Sequence, residues 1–136
     1  MKLIFAALLG TGFAMLALDV VWLTFMSANF YRPRLGNLLA TSFKIAPALL
    51  FYAIYLIGVT RFAVLPALQE GGWERAALDG ALFGLVAYAT YDLTNQATLR
   101  EWSSTVTIVD VLWGSFLTSA AALAGYSFAS FWRWRP

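Results

Sequence analysis

The chain contains no cysteine and no histidine. The first absence excludes disulfides, thiol nucleophiles and thiolate metal sites. The second excludes imidazole acid–base chemistry and metal or haem ligation through histidine. Charge is also scarce: Asp, Glu, Lys and Arg make up 12% of 136 residues, against about 25% in a soluble domain. Hydrophobic residues make up 61% and aromatic residues 17%, and mean hydropathy is +0.72. That much apolar surface excludes a disordered chain. The net charge of +2 comes from scattered basic residues that form no patch, so no nucleic-acid partner is expected. The length fits a single domain. What remains is a small integral membrane protein.

Crossing a bilayer as a helix takes about 20 mostly apolar residues. Four stretches meet that requirement, over about 3–26, 45–64, 76–96 and 105–128. They lack the strict alternation of barrel strands. The predicted fold class is therefore all-α, a transmembrane four-helix bundle over residues 1–136. Met1-Lys2 followed by an apolar run resembles a secretory signal, but the run continues through Val20, Val21, Trp22, Leu23 and Phe25, longer than such a segment needs. It is read as a retained first helix. Asn29–Ser42, with Arg32-Pro33-Arg34 and Gly36-Asn37, reads as the first loop, and Thr41 or Ser42 as a cap for the second helix. Gly71-Gly72 breaks helix two from helix three, and residues 100–104 make the third turn. Trp73, Trp102, Trp132 and Trp134 read as belt residues at headgroup depth, and the tail from Phe131 to Arg135 as an anchor at the interface. Lys2, Arg61, Arg75, Arg133 and Arg135 fall on the side of the termini, against Arg32, Arg34, Lys44 and Arg100 opposite. That count puts the termini in the cytoplasm.

Acids inside a membrane cost about 2.5–3.5 kcal/mol each on insertion scales, so each needs a reason. Asp19 lies late in helix one, Asp92 late in helix three and Asp110 early in helix four. Because helix direction alternates, all three fall in one half of the membrane, beside the first and third loops. Tyr52 and Tyr55 share a face on the same side of helix two. In helix three Gly80, Gly84, Tyr88, Asp92 and Gln96 step by four along one stripe, and Asn95 follows Asp92 at a spacing of three. The glycines suit close helix packing within the monomer, with a homodimer contact as the alternative. Asp19-Val20-Val21-Trp22 is echoed by Asp110-Val111-Leu112-Trp113, so each of these helices sets a carboxylate and an indole N–H on one face. The expected site is a one-sided polar pocket lined by these acids, by Tyr52, Tyr55 and Tyr88, and by Trp22, Trp113 and Asn95.

Two readings of the acids compete. In one they pair with Arg32, Arg34, Arg100, a tyrosine hydroxyl or a tryptophan N–H and fix the bundle. In the other they line a ligand pocket. Three carboxylates, Asn95 and the tyrosines have oxygens for a hard cation, but no spacing here is a metal motif, and neither a metal nor a cofactor is assigned. Phosphate loops, nucleophile elbows and dinucleotide fingerprints are lacking.

The run Tyr91-Asp92-Leu93-Thr94-Asn95-Gln96-Ala97-Thr98-Leu99, with Val109-Asp110-Val111-Leu112-Trp113-Gly114, resembles a family of small bacterial four-helix membrane proteins, a domain of unknown function. Leu18-Asp19-Val20-Val21-Trp22, Phe30-Tyr31-Arg32 and Leu35-Gly36 fit the same family. The resemblance implies the fold, a bacterial inner-membrane location and a lipid-linked role, and it supplies no catalytic residues. The expected function is binding of a lipid-like or amphipathic molecule, with membrane lipid as the surroundings. A lipid-modifying enzyme and a proton- or cation-coupled transporter are the alternatives.

Overall fold

The computed structural model describes residues 1–133. Four long helices account for most of them, and no strand occurs among the described residues. Helix α1 spans Lys2–Leu38, α2 Ile45–Gln69, α3 Gly72–Thr98 and α4 Ser104–Arg133. The chain is an all-α four-helix bundle. Trp134 and Arg135 of the expected anchor lie outside the described residues.

The first loop is much shorter than expected. α1 does not stop at Met26 but continues through a π turn, Ser27–Tyr31, an α turn, Arg32–Leu35, and a 3₁₀ turn, Gly36–Leu38. Arg32-Pro33-Arg34 and Gly36-Asn37 look like breakers, yet Pro33 opens the α turn after the π turn. There the Arg32 N–H already bonds five residues back, to Ser27 O, and the ordinary ladder has shifted before the proline removes a donor. α2 repeats the device: a π turn at Thr60–Val64 precedes Pro66 and carries the helix past Val64 to Gln69. Thr41 and Ser42 do not cap α2. Its N-cap is Lys44, without a side-chain cap, and the two hydroxyl residues lie in a bend short of the helix start. Between α2 and α3, Gly71 (φ +98°) and Gly72 (φ +68°) take a backbone conformation that side chains disfavour, which lets the reversal be so short.

The bundle is built inside out relative to a soluble one. Large apolar side chains such as Phe5, Leu9, Phe13, Ile54, Leu82 and Leu112 point outward, while alanine, glycine and threonine dominate the interior. Between helices in lipid, backbone approach replaces the hydrophobic effect as the source of cohesion. α4 is the central helix because it is small on two faces. Gly125 packs against Ala7 and Thr11 of α1, and Thr118, Ser119 and Ala122 pack against Gly80 of α3. Ser115 and Ser119 then donate across to the Ala81 and Ala77 carbonyls of α3, at 3.0 and 2.9 Å. Gly80 and Gly84 are thus used inside the monomer. α1, α2 and α4 are long and apolar enough to cross a membrane. α3 has the length, 27 residues or about 40 Å, but is more polar. Its exposed Thr90, Thr94 and Thr98 return their hydroxyls to carbonyls four residues back, which lowers the cost of holding them in an apolar medium.

Candidate functional site

The repeated Asp-x-x-Trp pattern brings α1 and α4 together. These helices run antiparallel, so the two copies meet as a local two-fold. The indoles of Trp22 and Trp113 stack with centroids 4.1 Å apart and planes 7° from parallel. Each tryptophan serves the other helix's acid. Trp113 Nε1 donates to Asp19 Oδ1 at 3.3 Å, and Trp22 Nε1 donates to the Tyr31 hydroxyl at 2.9 Å, which donates in turn to Asp110 Oδ1 at 2.5 Å. Tyr52 of α2 completes the Asp19 shell, donating to Oδ2 at 2.7 Å.

Tyr31 reaches this network because of the π turn. It lies nine residues after Trp22, and at about 100° per residue a regular α-helix would set the two on opposite faces. The wider turn at Ser27–Tyr31 rewinds that angle. Sequence patterning missed Tyr31 as a site residue because it fell in an apparent loop; its nearness to Arg32-Pro33 was the available signal. Changing Tyr31→Phe should leave both the Trp22 N–H and Asp110 without their partner and lower stability by about 1–3 kcal/mol. Thermal unfolding in detergent, compared with Tyr91→Phe as a control on an exposed ring, measures it.

The α3 stripe faces α4 along its length. Gly84 lies against the Gly114 carbonyl, the Tyr88 ring lies over Gly114, and Gln96 accepts from the Thr107 hydroxyl at 2.8 Å. This antiparallel register sets Asp92 level with Asp110. Asp92 is 0% exposed, and neither carboxylate oxygen has a hydrogen-bond partner. Below it Trp102 Nε1 donates to Thr107 Oγ1 at 3.0 Å, and its ring packs edge-on against Tyr91, 5.9 Å between centroids. Trp102 is therefore tied into the bundle and is not a free belt residue.

A cavity of about 340 Å³ opens at this end, walled by Asp19, Trp22, Tyr31, Tyr52, Asp110 and Trp113. Tyr88, Tyr91 and Trp102 also line it, with Leu35 of the α1 extension and Leu39 just beyond that helix. Of the residues expected in a pocket, Asp19, Trp22, Tyr52, Tyr88, Asp110 and Trp113 meet here. Tyr55 does not; it exchanges a 2.8 Å hydrogen bond with Thr118 and lines a smaller apolar recess with Phe51, Ala87 and Tyr88. Asp92 sits among packed helices outside the lining, and Asn95 is half-buried outside it. Among the described residues no arginine pairs with any of the three acids. Arg34 donates to the Phe30 carbonyl and covers its ring, and among the described residues the ion pair is Arg75–Asp79, at 3.2 Å in α3. No three metal-ligating side chains converge among the described residues. The site can therefore bind through shape, aromatic faces and carboxylates held by neutral donors.

Helices that turn apolar side chains outward, a small-residue interior and a polar cavity at one end define a helical integral membrane protein. The chain belongs to the family described as Predicted membrane protein (DUF2177), whose model matches residues 4–127. No curated protein and no solved structure matches it.

Proposed function

We propose that the protein crosses the bacterial inner membrane four times, with its termini in the cytoplasm, and binds a lipid-like or amphipathic small molecule in the α1–α4 cavity. One observation carries the reading: two intramembrane carboxylates and a stacked indole pair border open space of about 340 Å³. An apolar-walled recess with few convergent polar groups is the usual form of a small-molecule site. Mass spectrometry of the purified protein should find one co-purifying amphiphile, depleted in an Asp19→Asn, Asp110→Asn double variant. Finding bulk lipid alone in both proteins would sink the proposal.

A lipid-modifying enzyme is the second reading, favoured by the buried, unpartnered Asp92 oxygens level with the Tyr31–Asp110 pair. The Tyr31–Asp110 pair on the cavity wall would exchange a proton with a bound headgroup, with Asp92 acting through it. Unchanged lipid profiles in a deletion strain would remove it. Transport is less favoured, because α1, α3 and α4 pack closely at Gly10, Gly80 and Gly125 toward the other end of the bundle, and the three acids lie at one end.

Access is testable by labelling, since the chain has no native cysteine. A small membrane-impermeant thiol reagent should modify Ser27→Cys at the cavity edge and Arg100→Cys in the third turn from the same side. Ala122→Cys, at a position 0% exposed, should stay silent. Labelling of Ser27→Cys and Arg100→Cys from opposite faces would overturn the four-crossing topology.

A further inference from the structure

We infer that the molecule held in the α1–α4 cavity carries a positively charged nitrogen headgroup, an amine or a quaternary ammonium. The inference rests on the binding reading above and specifies its ligand. Three observations converge. First, Asp19 and Asp110 are on the cavity wall, and among the described residues no lysine or arginine lines it. Their partners are the hydroxyls of Tyr52 and Tyr31 and the N–H of Trp113, neutral donors that solvate a carboxylate without neutralising it. Second, Asp92 stands behind that wall, level with Asp110, fully buried and with both oxygens unpartnered. It adds a third acid with no basic partner among the described residues. Third, the remaining wall is aromatic. The stacked Trp22–Trp113 pair, with Tyr31 and Tyr88 beside it, presents ring systems whose faces attract a desolvated cation, at about 2 kcal/mol for a good contact. A sulfate, phosphate or fatty-acid carboxylate in the same space would meet like charge and find no basic partner. An uncharged headgroup would donate hydrogen bonds to the acids without offsetting their charge.

The nitrogen can belong to a free amphiphilic amine or to an aminophospholipid. A wider recess of about 780 Å³ shares Ser27 and Leu39 with the cavity and carries Arg32, Lys44, Thr41 and Ser42. A phosphodiester beside the bound nitrogen would lie there, so the second source has a place for its phosphate.

The test uses the full chain in a neutral maltoside detergent, read by tryptophan fluorescence, because Trp22, Trp102 and Trp113 line the cavity. Four chain-matched probes are titrated: dodecyltrimethylammonium, dodecyl phosphate, dodecanol and a lysophosphatidylethanolamine with a twelve-carbon chain. Saturable binding of dodecyltrimethylammonium, at least about tenfold tighter than that of the phosphate and the alcohol, is the expected result. The Asp19→Asn, Asp110→Asn double variant should lose that preference while still binding dodecanol. Should that variant fail to fold, Trp22→Leu takes its place, weakening the cation more than the alcohol. The selectivity of the unaltered chain decides the matter even without either. Saturable binding of all probes alike, or preference for the phosphate, overturns the charge assignment and leaves the binding reading standing. No saturable binding of any probe overturns both. Lysophosphatidylethanolamine binding as tightly as the free cation, and weakening about tenfold in Arg32→Gln with Lys44→Gln, identifies the phospholipid source. Binding of the free cation alone identifies the amine.

Discussion

A Gly84→Leu variant is expected to lose the folded bundle altogether, and Gly84→Ala to lose most of its stability. A Cβ built on Gly84 would collide with the Gly114 carbonyl oxygen, lie 2.8 Å from the Gly114 carbonyl carbon and 2.5 Å from Thr118 Oγ1. The first two are backbone atoms of the central helix, which cannot rotate out of the way. Relief requires α3 and α4 to separate, and separation breaks the Ser115–Ala81 and Ser119–Ala77 hydrogen bonds that cross the same seam. Overpacking alone costs about 1–3 kcal/mol. Each lost bond adds about 0.5–1.5 kcal/mol, so even alanine should cost on the order of 3 kcal/mol. Gly58 is the control. Its added Cβ would lie 2.7 Å from Phe83 Cζ, the far end of a ring that can swing outward, and Gly58→Ala should change stability by less than about 1 kcal/mol. Size-exclusion profile and thermal unfolding in detergent separate the cases. Equal losses in the two alanine variants would mean that the α3–α4 seam yields more than a backbone contact should.

The close packing of that seam was readable from spacing, since glycines four apart let helices approach, but spacing left open whether the partner helix was in the same chain or a second copy. The four helices were readable too, because each needs a long apolar run. The π turns were not readable. They change the hydrogen-bond register without changing composition, and both are followed by prolines that look like helix ends. Missing the first one concealed the α1 extension and with it Tyr31. The partners of the acids were half readable. The Asp-x-x-Trp echo set a carboxylate and an indole N–H on one face of each helix, but it did not say that the two faces meet. Antiparallel packing brings them together, pairing residues 94 and 79 positions apart, a separation no local pattern encodes. Of the partners the sequence offered, arginines, tyrosine hydroxyls and indole N–H groups, Asp19 and Asp110 take the neutral ones. The basic residues of the first loop instead lie on exposed surface beyond the cavity, where their charge stays hydrated.

Asp92→Leu is expected to raise stability, and Asp19→Leu to lower it. Leucine repeats the branching of aspartate with two methyl groups in place of two oxygens, so the shape change is small at either site. At Asp92 the oxygens have no hydrogen-bond partner among the described residues and the side chain is 0% exposed, so the native residue carries a desolvation cost that no such bond offsets. Removing it should gain about 1–3 kcal/mol, less whatever the slightly larger methyls cost in packing. At Asp19 the same change strips the acceptor from the Tyr52 hydroxyl and the Trp113 N–H, leaving both donors in a low-dielectric interior, and should cost about 1–3 kcal/mol. Unfolding midpoints of the two variants, in the same detergent and without added amphiphile, should therefore move in opposite directions. If both fall, Asp92 has a partner that survives purification, and mass spectrometry of the unaltered chain should then find it. If Asp92→Leu rises while binding of dodecyltrimethylammonium weakens, the acid costs stability in the empty protein and contributes affinity when the cavity is filled.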